Sequence, residues 1–234
     1  MAHGSYGGSV EGLHSVRAAL AAGRVLSLKL ESNREQEFGG FGIPVEVVPN
    51  LEPLTATSAH QGVMAYCRPI PFLAVDELVN QQVPAALLMV DHVGDPHNLG
   101  AIARSAVAAG IPRMVVAARR SAPLGPTAFK AAAGALEVMS VAQVTSMADT
   151  VVRLRRAGVW TVGLAAGGDV SIFGLELLTE PVALVVGGEG RGLAPLVAKR
   201  LDVLARIPMT PGVESLNVSV AAAVACFEMA RMRA

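Results

Sequence analysis

Aromatic residues are scarce in this chain: one Trp, two Tyr and six Phe make up 4% of 234 residues. That scarcity argues against an extended stacking platform of the kind that grips single-stranded nucleic acid base by base. Cysteine is scarcer still. Cys67 and Cys226 cannot build a disulfide framework, and neither belongs to a CxxC or Cys/His cluster. Two free thiols in a reducing compartment are expected, and no metal centre. No apolar run reaches the roughly 18 to 20 residues of a membrane span. The opening MAHGSYGGSV lacks the apolar core of a secretory signal, so residues 1–9 read as a tail and the protein as soluble and cytoplasmic. Nor is charge of either sign in excess, with 19 Lys+Arg against 19 Asp+Glu and a pI near 7.0. A global basic surplus, which phosphate neutralisation favours, is therefore absent. Only local clusters remain: Arg119–Arg120, Arg153 with Arg155–Arg156, and Lys199–Arg200. Each reads first as an ordinary solvated face.

What is abundant is apolar sequence, 52% of residues, enough for a sizeable core. Residues 10–70 read as a small α/β unit. Its helix spans Leu13–Ala22 and stops at Gly23, and its strands are Val25–Leu30, Val45–Val48 and Val63–Cys67, with a loop at Ser32–Gly42. Pro69 and Pro71 open a linker that runs to Pro84. From there strand, glycine turn and helix alternate. Strands are expected at Ala85–Val90, Met114–Ala118, Val138–Val141, Trp160–Leu164, Val182–Val186 and Val203–Ile207. Helices are expected at Asn98–Ala109, Thr127–Ala133, Met147–Ala157, Leu193–Leu201 and Leu216–Arg231. Continuous apolar strands between helices imply a largely parallel sheet covered on both faces.

Such a sheet binds its ligand beyond the carboxyl ends of its strands, so the loops that follow strands are the informative ones. The first is DHVGDPHNLGAIARSAVAAG, Asp91 to Gly110, in which Asn98 suits a helix N-cap and Arg104 lies mid-helix among alanines. Arg104 either faces solvent or points into a cleft or interface. The second is VVGGEGRGL, Val185 to Leu193, where glycines allow close backbone approach and Glu189 is either an exposed turn residue or a carboxylate presented to a substrate. A dinucleotide fingerprint fits poorly, because that motif opens the first βαβ unit with a different glycine spacing. The third is IPMTPGVESLNVSVAAAVACFEMAR, Ile207 to Arg231, with Ser215 and Asn217 at the entry to an Ala-rich helix, as caps or as site residues.

In this order and spacing the three stretches resemble the signature motifs of the SpoU (TrmH) family of RNA 2′-O-ribose methyltransferases. The similarity runs from Leu87 to Arg231 and is closest to the branch that modifies a guanosine ribose in 23S ribosomal RNA. The segments VEGLHSVRAAL and HQGVMA resemble that branch's small L30e-like RNA-binding domain. The resemblance implies an α/β, SPOUT-type parallel-sheet domain whose carboxyl-terminal stretch is threaded into a trefoil knot. Residues 1–72 would form the L30e-like domain, 73–84 a linker and 85–234 the methyltransferase domain. It further implies S-adenosyl-L-methionine held by Gly187, Gly188, Ile207 and Leu216, and polar active-site groups at Asn98, Arg104, Glu189, Ser215 and Asn217. A homodimer packed through the knot region is implied as well, with no metal.

The reaction so implied is attack of a ribose 2′-oxygen on a sulfonium methyl group. Arg104 makes a poor base, since a guanidinium stays protonated and has no acceptor atom. It is expected instead to clamp the phosphate of the target nucleotide and lower the hydroxyl pKa. Glu189 is expected to accept the proton or orient Arg104, while Asn98, Ser215 and Asn217 shape the site. Competing readings are transfer RNA ribose methylation, ribosomal RNA methylation conferring antibiotic resistance, an NAD-dependent oxidoreductase on a similar sheet, and a non-catalytic RNA-binding paralogue.

Overall fold

The structure is a computed structural model and describes residues 4–38, 40–81 and 84–234. In chain order the first part holds β1 (Ser5–Tyr6), β2 (Ser9–Glu11), α1 (Leu13–Ala21), β3 (Val25–Glu31), α2 (Glu35–Phe38), β4 (Val45–Val48), β5 (Val63–Cys67), β6 (Ile70–Pro71) and α3 (Val75–Asn80). A four-stranded sheet has the order β2-β5-β3-β4, and β1 pairs antiparallel with β6. Leu28 and Leu30 alternate with polar neighbours along β3 and are buried, as a half-covered strand requires. α1 buries Ser15, Val16 and Ala19, then ends at Gly23, whose φ of 64° suits a residue without a side chain.

The second part holds β7 (Ala86–Asp91), α4 (Pro96–Ala108), β8 (Arg113–Ala117), α5 (Pro126–Ala132), α6 (Ala135–Val138), β9 (Ser140–Val144), α7 (Met147–Arg156), β10 (Trp160–Leu164), β11 (Val170–Ser171), β12 (Val182–Gly187), α8 (Pro195–Ala198), β13 (Val203–Arg206) and α9 (Val218–Met232). Its seven strands form one parallel sheet in the order β11-β13-β10-β12-β7-β8-β9. Every residue of β7 is buried. Leu88 and Val90 enter a core shared with α4 and α9, while Leu87 and Met89 enter a second core under α3 and α7. Burial on both faces is why these strands read as unbroken apolar runs. β12 lies between β10 and β7, so strand order reverses beside β7, the place where open sheets form ligand crevices.

The expected strands and helices are present, with informative differences at their ends. α4 begins at Pro96 rather than Asn98, because Asp95 is the N-cap and its carboxylate accepts from the His97 N–H at 2.8 Å. Val138 closes α6 instead of opening a strand; Ala133 and Gly134, both at positive φ, break α5 and restart the chain as that short helix. The helix expected over Leu193–Leu201 shrinks to α8, since Ala194 is tied to Asp91. Within the expected Ser32–Gly42 loop lies α2; residue 39 is outside the described residues. The stretch 73–84 contains α3, with Val75 and Leu78 buried; residues 82–83 lie outside the described residues. Of the tail expected over residues 1–9, 1–3 are outside them too, and β1 and β2 claim Ser5, Tyr6 and Ser9.

The four-stranded sheet and α1 share a continuous core with α4 and α5. Tyr6 stacks near Phe72 and Phe129, with centroids at 5.0 and 6.1 Å, and its hydroxyl donates to the Met139 carbonyl at 3.1 Å. Ser15 donates to the Phe129 carbonyl, and Arg24 forms a two-pronged ion pair with Glu137 at 2.6 Å for each bond.

Candidate active site

The site begins where β7 ends. Asp91 closes that apolar strand with a fully buried carboxylate, a costly placement unless it is partnered. Its Oδ2 accepts the Ala194 N–H at 2.8 Å, and its Oδ1 lies 2.5 Å from His92 Nδ1. This carboxylate thereby fastens the far end of the glycine loop that leaves β12.

Nothing larger than glycine fits at the start of that loop. A Cβ on Gly187 would stand 2.1 Å from the Gly192 carbonyl carbon and 2.2 Å from the Leu193 nitrogen. On Gly188 it would stand 2.3 Å from the His92 carbonyl oxygen. The loop folds back on itself through Gly192 N–H to Gly188 O and Arg191 N–H to Glu189 O, and Glu189 sits at its exposed crest.

Glu189 meets one other predicted site residue there directly, Asn98, and a second, Asn217, through it. Asn98 Nδ2 donates to Glu189 Oε1 at 2.7 Å, and the Gly94 N–H donates to Oε2 at 3.2 Å. Asn98 in turn accepts at Oδ1 from Asn217 Nδ2 at 3.1 Å. Asn217 accepts at Oδ1 from the Ser219 N–H at 2.8 Å and from the Ser219 hydroxyl at 2.6 Å, so it is the N-cap of α9 as well as a member of this chain of bonds. Partial burial raises the Glu189 pKa, but the bonds from Asn98 and from nearby backbone N–H groups outweigh it and hold the carboxyl below its ordinary range. Glu189 is therefore an ionised, oriented acceptor at neutral pH.

Beneath this rim lies a cavity of about 700 Å³ at the carboxyl ends of β10, β12 and β13. Leu164, Ile207, Met209 and Leu216 supply apolar walls, and the glycine loop supplies backbone groups. Gly187, Gly188, Ile207 and Leu216, the residues expected to hold the cofactor, all line it, as do Glu189, Ser215 and Asn217. Asn98 joins them through its two hydrogen bonds. Arg104 does not. It is exposed on α4 six positions beyond Asn98, about a third of a turn around the helix, and has no hydrogen bond or ion pair among the described residues.

Sequence reasoning missed Asp91, His92 and Gly94, which hold the site from behind, and Leu164, which forms one wall. Asp91 had a readable signal, a carboxylate at the end of an apolar strand. The others owe their roles to tertiary neighbours. Among the described residues no group of three or more His, Cys, Asp or Glu side chains is placed to hold a metal ion. Cys67 and Cys226 are buried free thiols, pushed up to about 11 and about 12 by burial, and stay protonated. Among the described residues no helix is long and apolar enough to cross a membrane.

Comparison with known proteins shows where the chain belongs. A protein of Coxiella burnetii named 23S rRNA (guanosine-2′-O-)-methyltransferase RlmB is 35% identical over 96% of this chain and 96% of its own. The protein of that name from Pseudomonas aeruginosa is 39% identical over the same shares. Among solved structures, an AdoMet-bound rRNA methyltransferase from Sinorhizobium meliloti superposes with a TM-score of 0.80 at 26% identity, covering 95% of this chain and 86% of the other. The sequence model of the SpoU rRNA Methylase family matches residues 85–227, which include the glycine loop, Asn98 and Asn217, and this chain belongs to that family.

Proposed function

We propose that this protein is an S-adenosylmethionine-dependent methyltransferase acting on the ribose 2′-hydroxyl of a guanosine in 23S ribosomal RNA. The observation that carries the reading is the Glu189–Asn98–Asn217 chain of hydrogen bonds on the rim of a cavity built by three strand-end loops. The curated relatives named above are similar over nearly the whole chain.

The cavity suits the methyl donor. Its volume falls within the usual range for small-molecule sites, roughly 300 to 1,000 Å³, and its walls are apolar with polar groups gathered at one rim. Gly187, Gly188, Ile207 and Leu216 would hold the donor, largely through backbone groups and apolar contact. When bound, S-adenosylmethionine supplies an electrophilic methyl group on a cationic sulfur. Glu189 presents a fixed negative charge at the rim. Its hydrogen bonds keep it ionised and oriented, so it would accept a hydrogen bond from the ribose 2′-hydroxyl and take its proton as the methyl group passes from sulfur to oxygen. Asn98 and Asn217 hold that carboxylate in place, and Ser215, exposed and free at the same rim, is available to the ribose.

Arg104 would clamp the target phosphate, and its exposed position outside this chain's cavity supports a homodimer in which Arg104 of one copy serves the cavity of the other. Exposed Val220 and Phe227 on α9, among small alanines, support a second copy packing there. The carboxyl-terminal stretch would be threaded as the family's trefoil knot, a path with which the insertion of β12 between β10 and β7 is compatible. We assign residues 1–72 to an L30e-like RNA-binding domain, 73–84 to the linker and 85–234 to the methyltransferase domain, in a cytoplasmic enzyme.

Mapping 2′-O-methyl sites in total RNA with and without this protein tests the substrate. One guanosine site in 23S rRNA should disappear; loss of a transfer RNA site instead overturns the assignment. Mixing inactive Arg104→Ala and Glu189→Gln chains tests the dimer, since partial recovery of methylation requires the two groups to meet between copies.

A further inference from the structure

The distribution of paired and unpaired cations divides this molecule. In the first part Arg17 and Arg34 are bound to Glu37, Arg24 to Glu137 and Lys29 to Glu46. Arg68 is bonded to the Gly23 carbonyl. Two of the basic clusters conspicuous in the sequence are partly neutralised: Arg153 by Asp76, Arg155 by Asp202 and Arg200 by Asp149. A cation engaged with a carboxylate has little net charge to offer a phosphate.

Arg119 and Arg120 are different. Both are exposed, and among the described residues neither has a hydrogen bond or an ion pair. They occupy the loop that leaves the carboxyl end of β8, next to β7 in the sheet. The Ala122 N–H donates to the Val93 carbonyl at 2.8 Å, lashing that loop to the one whose Gly94 N–H holds Glu189. Arg191, also exposed and unpaired among the described residues, lies on the other flank in the glycine loop after β12. Among the described residues three unpaired guanidinium groups thus stand on the loops that leave β12 and β8, the two strands flanking β7, beside the rim of the cavity. Arg156, the last residue of α7, and Lys199, just past α8, are also unpaired among the described residues but lie outside these two loops.

We infer that the β8–α5 loop is a phosphate-binding track for the RNA substrate, with Arg119 and Arg120 gripping the backbone beside the target nucleotide and Arg191 continuing the track across the cavity. This rests on the proposed RNA methyltransfer. It places the electrostatic grip on the catalytic part of the chain and leaves the amino-terminal part to recognise shape. A neutral protein binds a polyanion in this way, by leaving a few cations free in one place.

The test is equilibrium binding of a 23S rRNA fragment across a salt series, using the full chain and its Arg119→Gln/Arg120→Gln variant. Each phosphate contact contributes about 0.7 to 0.9 to the slope of log K against log salt, so the variant's slope should be shallower by about 1.5, with affinity at low salt down roughly tenfold. Arg119→Lys/Arg120→Lys should keep the slope, and Arg156→Gln/Lys199→Gln should behave as wild type. Cofactor affinity and thermal midpoint should not move in any of them, because none of these side chains has a partner among the described residues. An unchanged slope in the Gln variant overturns the inference. So does a loss seen only with protein-bearing ribosomal particles, which would make the partner an acidic protein surface. Should wild type bind the RNA without methylating it, the proposed reaction falls while the slope comparison still decides the track.

Discussion

Asn98 and Glu189 are 91 positions apart in sequence, yet Asn98 Nδ2 lies 2.7 Å from Glu189 Oε1. The same amide turns its oxygen toward Asn217. One side chain therefore joins the loops after β7 and β12 to the head of α9. A hydrogen bond to a charged group contributes about 1.5 to 3 kcal/mol. Asn98→Ala should accordingly slow single-turnover methylation by roughly 10- to 100-fold. Cofactor affinity, measured by calorimetry, should change little because Asn98 is outside the cavity wall. Equal loss in both measurements would mean that Asn98 builds the pocket rather than orienting Glu189.

Gly187→Ala should act on binding instead. Its Cβ would meet backbone atoms, not a flexible side-chain end, so the loop from Gly187 to Leu193 must move. Overpacking of this kind costs about 1 to 3 kcal/mol. Cofactor binding should fall below detection in a protein that still folds by circular dichroism. Retained binding would place the donor elsewhere.

How much of this was legible beforehand varies with how local each feature is. The strands β7 and β12 were readable because burial on both faces leaves apolar runs with no polar interruption before the strand ends. Asn217 was readable as a cap, since capping is a contact with the next residues in the chain. Asn98 was misread as a cap for the complementary reason: Asp95 caps α4, and Asn98 answers to Glu189, a partner that no local pattern reveals. α3 went unseen because Val75 and Leu78 make one helical spacing and no more. Arg119–Arg120 looked no different from the other basic clusters until the ion pairs of the latter were visible.

Glu228 gives the fold an acid-sensitive point. Arg231 binds its carboxylate through two hydrogen bonds at 2.7 and 2.8 Å, and the Gly174 N–H adds a third at 2.7 Å. Those bonds push its pKa down to about 2, well below the ordinary value near 4.3. A depressed folded-state pKa means a stabilisation fully present above about pH 4.5 and lost as pH falls through about 2. Urea midpoints of wild type and Glu228→Gln should differ at neutral pH and converge across that acid window. A constant gap would show that the carboxylate charge contributes nothing.

A nearly buried ion pair joins the two parts of the chain. Arg24 and Glu137 are nearly buried, with side-chain exposures of 12% and 3%, and Arg24 also donates to the Gly7 carbonyl at 2.9 Å. Removing one partner strands a charge away from water, whereas removing both leaves an apolar gap beside Phe129, over whose ring Arg24 lies at 5.7 Å. Arg24→Met and Glu137→Met should each cost about 3 kcal/mol or more in urea unfolding, since breaking a buried pair costs about 3 to 5 kcal/mol. The double variant should recover most of that loss, giving a coupling energy of at least ~1 kcal/mol in the double-mutant cycle. Additive losses would mean that the two side chains stabilise their own neighbourhoods independently. The attachment of the amino-terminal sheet would then rest on the shared apolar core around Tyr6, Phe72 and Phe129 and on the Tyr6–Met139 and Ser15–Phe129 hydrogen bonds.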